Sequence, residues 1–145
     1  MKYVRVARER GARTFVLIFE GGDDLQADLL RFAAEERVLS GSLRGIGGFS
    51  KATLGYFVRE QKAYEPIDVD EQVEVLSLLG TLSVMDGKPH AHMHATVGFR
   101  GGSVKGGHVQ AGTVWPTLEI FVTEYSGELQ RAMVPDVGAA LIDLS

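Results

Sequence analysis

The 145 residues carry a formal net charge of −4, are 45% hydrophobic and 23% charged, and include no cysteine. That size and balance fit one globular domain, residues 1–145, and exclude disulfide frameworks, thiolate metal sites and nucleic-acid binding driven by bulk charge. No apolar run reaches the ~20 residues of a membrane helix, and Met1-Lys2-Tyr3-Val4-Arg5 is unlike a signal peptide, so a cytoplasmic protein with no membrane partner is expected.

Residues 3–8 alternate and read as a first strand, Glu9-Arg10-Gly11-Ala12 as a turn, and the apolar run 14–19 as a buried second strand. Lys2, Arg5, Arg8, Arg10 and Arg13 make this hairpin basic, which suits either a solvated sheet face or a phosphate-facing patch. Glu20-Gly21-Gly22-Asp23-Asp24 then stops the strand. Asp23 is a candidate helix cap, with Gln26 completing a capping box. Leu25, Leu29, Phe32 and Ala33 form one apolar stripe, and the helix is expected to end near Val38. It is the only long helix predicted.

The stretch 42–50, Ser-Leu-Arg-Gly-Ile-Gly-Gly-Phe-Ser, has glycines at the wrong spacing for a dinucleotide fingerprint. Glycines in a strand point instead to close approach of backbone, to a ligand or another subunit. Arg44, beside them, is a possible anion contact or a surface arginine. Residues 52–59 continue as a strand, 62–66 read as a loop, and 72–84 read as a long central strand. Glu74 interrupts that apolar run. It marks a solvated end or orients a ligand histidine.

All four histidines fall in Lys88-Pro89-His90-Ala91-His92-Met93-His94 and Gly106-Gly107-His108. His90, His92, His94 and Thr96 alternate with Ala91, Met93, Ala95 and Val97, the periodicity of a strand with its imidazoles on one face. Residues two apart lie roughly 6.6 Å from each other, and their rings can converge on one ion. Residues four apart lie roughly 13 Å from each other, so His90 and His94 would not share a tetrahedral ion. An adjacent pair would serve, and His92 belongs to either one. The third ligand must be His108. A two-residue hairpin loop at Gly101-Gly102 would set His108 opposite Ala95, on the wrong face. A three-residue loop, Arg100-Gly101-Gly102, would set it opposite His94. A bulge at Gly106-Gly107 is the other way to correct the register. Imidazole donors suit zinc, copper, iron or nickel, with zinc the default, and three of them leave a fourth position open.

Gly112-Thr113-Val114-Trp115-Pro116 reads as a bend and 117–124 as a strand, in which Glu119 is again an acid among apolar residues. Residues 129–134 and 140–144 form a closing strand pair. The fold class is therefore α+β: a curved, mostly antiparallel sheet with one main helix packed on it.

The ordered set of motifs resembles the PPC domain family (plant and prokaryote conserved domain). It comprises Gly22-Asp23-Asp24-Leu25, Gly45-Ile46-Gly47-Gly48-Phe49-Ser50, Ala52-Thr53-Leu54-Gly55-Tyr56, Glu74-Val75-Leu76-Ser77-Leu78-Leu79-Gly80-Thr81, residues 89–94, Gly106-Gly107-His108-Val109 and Thr117-Leu118-Glu119. The resemblance implies a compact domain that assembles as a homotrimer, and a fold similar to that of acetolactate decarboxylase. Family members are labelled DNA-binding, and some hold zinc on histidines. It points to His92, His94 and His108 as the metal ligands, leaving His90, Glu74 and Glu119 as additional or orienting groups. The Arg-Gly-Arg-Pro core of an AT-hook is absent, and the acidic balance opposes DNA binding. Three functions follow as expectations: a zinc-binding oligomeric regulator or DNA-associated protein, a small zinc-dependent lyase or hydrolase, or a structural oligomerisation domain.

Overall fold

The described residues form nine strands and one helix in the order β1 (Lys2–Glu9), β2 (Ala12–Glu20), α1 (Leu25–Glu35), β3 (Gly41–Val58), β4 (Ala63–Val69), β5 (Val73–Met85), β6 (Lys88–Gly98), β7 (Val104–Glu124), β8 (Gln130–Val134) and β9 (Ala139–Asp143). This computed structural model describes residues 1–9 and 11–145. Arg10, expected in the first turn, lies outside the described residues.

The strands make one sheet in which β3, β5, β6 and β7 pair in a closed circuit, all antiparallel. The β1–β2 hairpin extends the sheet from β7, β4 adds to β3, and the β8–β9 hairpin joins β5. The expected curved antiparallel sheet with one helix is the observed architecture. Two expectations need correction. Residues 62–66 are mostly strand, not loop: Pro66 sits in β4, which pairs only with β3, and proline is tolerated on such an edge. Residues 112–116 do not separate two strands; they run within β7, with a cis Trp115–Pro116 bond.

The apolar stripe of α1 is buried as expected, and Leu25, Leu29 and Phe32 are fully covered against the sheet. The cap is Asp24, whose carboxylate accepts from the Ala27 N–H at 2.8 Å. Asp23 instead accepts from the Glu20 N–H, and Gln26 donates to the Val109 carbonyl rather than closing a capping box. The helix stops earlier than expected because Arg37 takes a φ of 53°. Arg13 then ties helix end to sheet, donating to Glu124 at 2.6 Å and Glu36 at 2.9 Å.

The core lies on the helix-facing side and gathers Phe15, Phe19, Phe49, Leu54, Leu78 and Leu118 among others. Alternation puts Met93, Ala95 and Val97 of β6 into it, so His92 and His94 face away. The close approach forecast by the glycines of β3 is to the chain's own backbone. A Cβ on Gly48 would collide with the Trp115 carbonyl oxygen, and one on Gly47 with that of Thr117. Gly48→Ala is therefore expected to lower stability by about 1–3 kcal/mol. Gly101→Ala, with no atom near its Cβ, should stay within about 0.5 kcal/mol. Urea unfolding midpoints of the two variants check this.

Candidate metal centre

The β6–β7 connection is the three-residue loop. The Phe99 N–H donates to the Ser103 carbonyl at 2.9 Å, and Gly102 carries a φ of 85°, in the region that favours glycine. The ladder then runs without a shift from Gly98 opposite Val104 to His94 opposite His108. No bulge forms at Gly106-Gly107.

His92, His94 and His108 each offer a ring nitrogen within 4.8 Å of the other two. Nε2 of His92 and Nε2 of His94 stand 3.1 Å apart. Two nitrogens on one tetrahedral zinc would be separated by about 3.3 Å, so the spacing fits a shared ion. The Tyr64 hydroxyl lies 3.4 Å from Nδ1 of His108, and its ring stacks on that imidazole with centroids 4.5 Å apart. A hydroxyl that accepts the Nδ1 proton leaves Nε2 of His108 for the ion, the usual way a ligand imidazole is oriented.

Arg131 stands on the other side. It is buried and donates through Nε to Ser83 Oγ at 3.0 Å, through Nη1 to the Ala140 carbonyl at 2.8 Å, and through Nη2 to Thr81 Oγ1 at 3.2 Å. Nη2 also lies 3.3 Å from Nδ1 of His92. The wall closes further where Lys62 donates to the Pro135 carbonyl, linking the start of β4 to the β8–β9 turn.

Burial, then the neighbouring imidazoles and Arg131, pushes the His108 ring down to about 4. Burial first and Arg131 next also lower His92 and His90. Neutral imidazole is the form a metal needs, and these surroundings favour it.

The other expected residues lie elsewhere. His90 is half-buried opposite Ser83, its Nδ1 shielded from solvent without a partner, and it is not in the group of three. Glu74 and Glu119 line a separate cleft with Ile46, Gly47, Val75 and Leu76. Glu74 is five residues along β5 from Leu79, which pairs with His94, or roughly 16 Å. Arg44 shares a cleft with Glu119, Leu76 and Leu79, its guanidinium over the Phe121 ring at 5.3 Å. Sequence reasoning missed Tyr64 and Arg131. Tyr64 was hidden by reading β4 as loop. For Arg131 a signal existed: a long cation between Leu129 and Met133 in a strand otherwise suited to packing.

The fold is thus a curled α+β sheet that gathers three imidazoles on one face, and the sequence says which family it belongs to. The Plants and Prokaryotes Conserved (PCC) domain matches residues 6–126. The chain belongs to that family, as its motifs suggested.

A plant- and prokaryote-conserved (PPC) protein of Pyrococcus horikoshii is 29% identical, with a TM-score of 0.86 over 98% of this chain and 94% of that one. A protein of Bacteroides thetaiotaomicron described as a "putative DNA binding protein" is 29% identical, with a TM-score of 0.86 over 97% and 96% of the two chains. A metal-containing protein of Archaeoglobus fulgidus is 32% identical, with a TM-score of 0.84 over 98% and 99%. Acetolactate decarboxylase of Bacillus subtilis shares the fold alone, at 16% identity and a TM-score of 0.52 over 87% of this chain and 58% of that one. The bifunctional protein GlmU of a Synechococcus species is 31% identical over 125 residues, and this chain spans 18% of its length. Among the described residues no helix is long and apolar enough to cross a membrane.

The depressed His108 value has a consequence for stability. The unfolded ring, near its ordinary 6.5, takes a proton before the folded one does as pH falls. Its contribution is full above pH 6.5 and is lost progressively towards pH 4. Thermal melts of metal-free protein should show a midpoint steady near neutrality that drops across this window. His108→Asn should have a flatter profile there.

Proposed function

We propose that the chain is a metal-binding PPC-domain protein in which His92, His94 and His108 hold one divalent ion, zinc by default, and that it acts as a homotrimer. The observation that carries the reading is the convergence of three ring nitrogens within 4.8 Å of one another. The Archaeoglobus relative described as metal-containing supports it. Assembly is supported by exposed apolar side chains on the face away from the core, Ile46, Leu76, Leu79 and Phe121, a patch of the kind partners cover. The family resemblance is what favours three copies. With three protein ligands the ion keeps one open position, so it can act as a Lewis acid as well as a structural tie.

Metal analysis of tag-free protein is the direct test. Wild type should hold roughly one zinc per chain and the variants His92→Ala and His108→Ala almost none. Metal in the variants, or none in wild type, would remove the site. Sedimentation equilibrium of the same samples reads the assembly: a trimer is expected for wild type, and a monomer would end that part of the reading.

A second reading, DNA association, is favoured by the description of the Bacteroides relative. The basic hairpin offers less charge than its sequence suggested. Lys2 pairs with Glu20, and Arg13 with Glu36 and Glu124. Arg5 and Arg8 remain exposed; Arg10 lies outside the described residues. This reading expects retardation of duplex DNA that weakens with salt and again when Arg5 and Arg8 are changed to glutamine. A duplex that runs unretarded with wild type at low salt would sink it.

A further inference from the structure

Arg131 is 7% exposed. Among the described residues no carboxylate forms a salt bridge with it. Its partners are neutral: Ser83, Thr81, the Ala140 carbonyl and Nδ1 of His92. A buried guanidinium without an anion is an unusual expense, since a buried charge is normally paired. The group it faces contains three imidazoles and no acid. Loaded with a divalent cation, this group would concentrate positive charge that no salt bridge among the described residues balances at Arg131.

The hydrogen bonding leads to the same place. Nδ1 of His92 can accept from Arg131 only while it lacks a proton, which puts the ring proton on Nε2, facing Nε2 of His94. When His92 ligates through Nε2, the ring proton belongs on Nδ1. An Nη2–H and an Nδ1–H then confront each other across 3.3 Å. Two donors so placed need an acceptor, and beside a guanidinium the strongest acceptor is an anionic oxygen.

We propose that Arg131 is the anion-recognition residue of this centre, and that a small carboxylate binds between it and the ion held by His92, His94 and His108. The proposal rests on the metal-site reading and extends it to the class of ligand. A carboxylate suits a two-point receptor, because one oxygen can fill the open metal position while the other takes the guanidinium. Ser83 accepts from Nε and Thr81 from Nη2 of the guanidinium. They position it and do not touch the ligand.

The test uses the full chain loaded with cobalt(II), whose visible bands report on its coordination, with acetate as the probe and cobalt content measured in every sample. Acetate should shift the wild-type bands, whereas neutral acetamide should not. Arg131→Gln, with cobalt content unchanged, should need at least about tenfold more acetate, the loss of one charge-assisted hydrogen bond. Arg131→Lys should fall between. Should the arginine variants fold poorly, NMR of wild type decides. In the zinc-loaded protein the Arg131 Nε–H signal should move with acetate, at the midpoint seen for the cobalt bands.

Equal acetate midpoints in wild type and Arg131→Gln would overturn the proposal. So would an Arg131 signal that stays still, bands that ignore acetate, or acetamide binding as well as acetate. Wild type that takes up no cobalt would instead bring down the metal-site reading, and this proposal with it.

Discussion

Between Phe99 and Ser103 the chain reverses in three residues, and every contact among the imidazoles depends on that count. Strand side chains alternate with a period of two, so a loop one residue shorter would turn His108 towards the core and bring Gly107 or Val109 into its place. Gly102 holds the count by accepting a backbone conformation that a side chain would oppose. The ladder below it runs without a bulge until His94 meets His108. β6 then sets the other spacing, because His92 and His94 are successive residues on one face. Two short-range rules, turn length and strand period, thus place three rings from two strands around one point.

What surrounds the rings decides what they can do. Burial and the positive charge of Arg131 both oppose protonation of His92 and His108, so the donors are poised for a cation without a carboxylate to neutralise it. The two flanking groups differ in kind. Tyr64 can accept the Nδ1 proton of His108 and thereby present Nε2, whereas Arg131 can only donate to His92. One ring is steadied by an ordinary partner, and the other is left with a partner that a bound ion would set against it. The carboxylate proposed above would relieve that imbalance.

The grouping of His92, His94 and His108 was legible in the sequence because all four histidines fall in two short segments and strand alternation is a strong local signal. The helix was legible for the same reason, through Leu25, Leu29, Phe32 and Ala33. Its cap was misplaced by one residue, since Asp23 and Asp24 are chemically equal and only the path of the chain assigns their roles. The strand β4 was hidden by Pro66, whose missing N–H costs nothing on a strand paired along one side. Tyr64 and Arg131 are a different case. Their contacts with His108 and His92 span 44 and 39 residues of chain, and no local period carries information across such separations. Glu74 and Glu119 stood out as acids in apolar strands, yet register takes them to a different cleft.

The sheet has one face committed to the core, so what the sheet itself presents to other molecules comes from its opposite face and rims. There the histidines and the exposed apolar side chains are neighbours. Leu79 is the cross-strand partner of His94 and lines the cleft that holds Arg44, Ile46 and Phe121. A second cleft joins Leu79 and Ser77 to His94, Gly106 and Gly107. A copy of the chain seated on Ile46, Leu76 and Leu79 would lie against the cross-strand partner of His94. It would shield that side of the three rings from water. Assembly and ligand selection would then be separate demands on the same group of rings. The fold can meet both without changing its core.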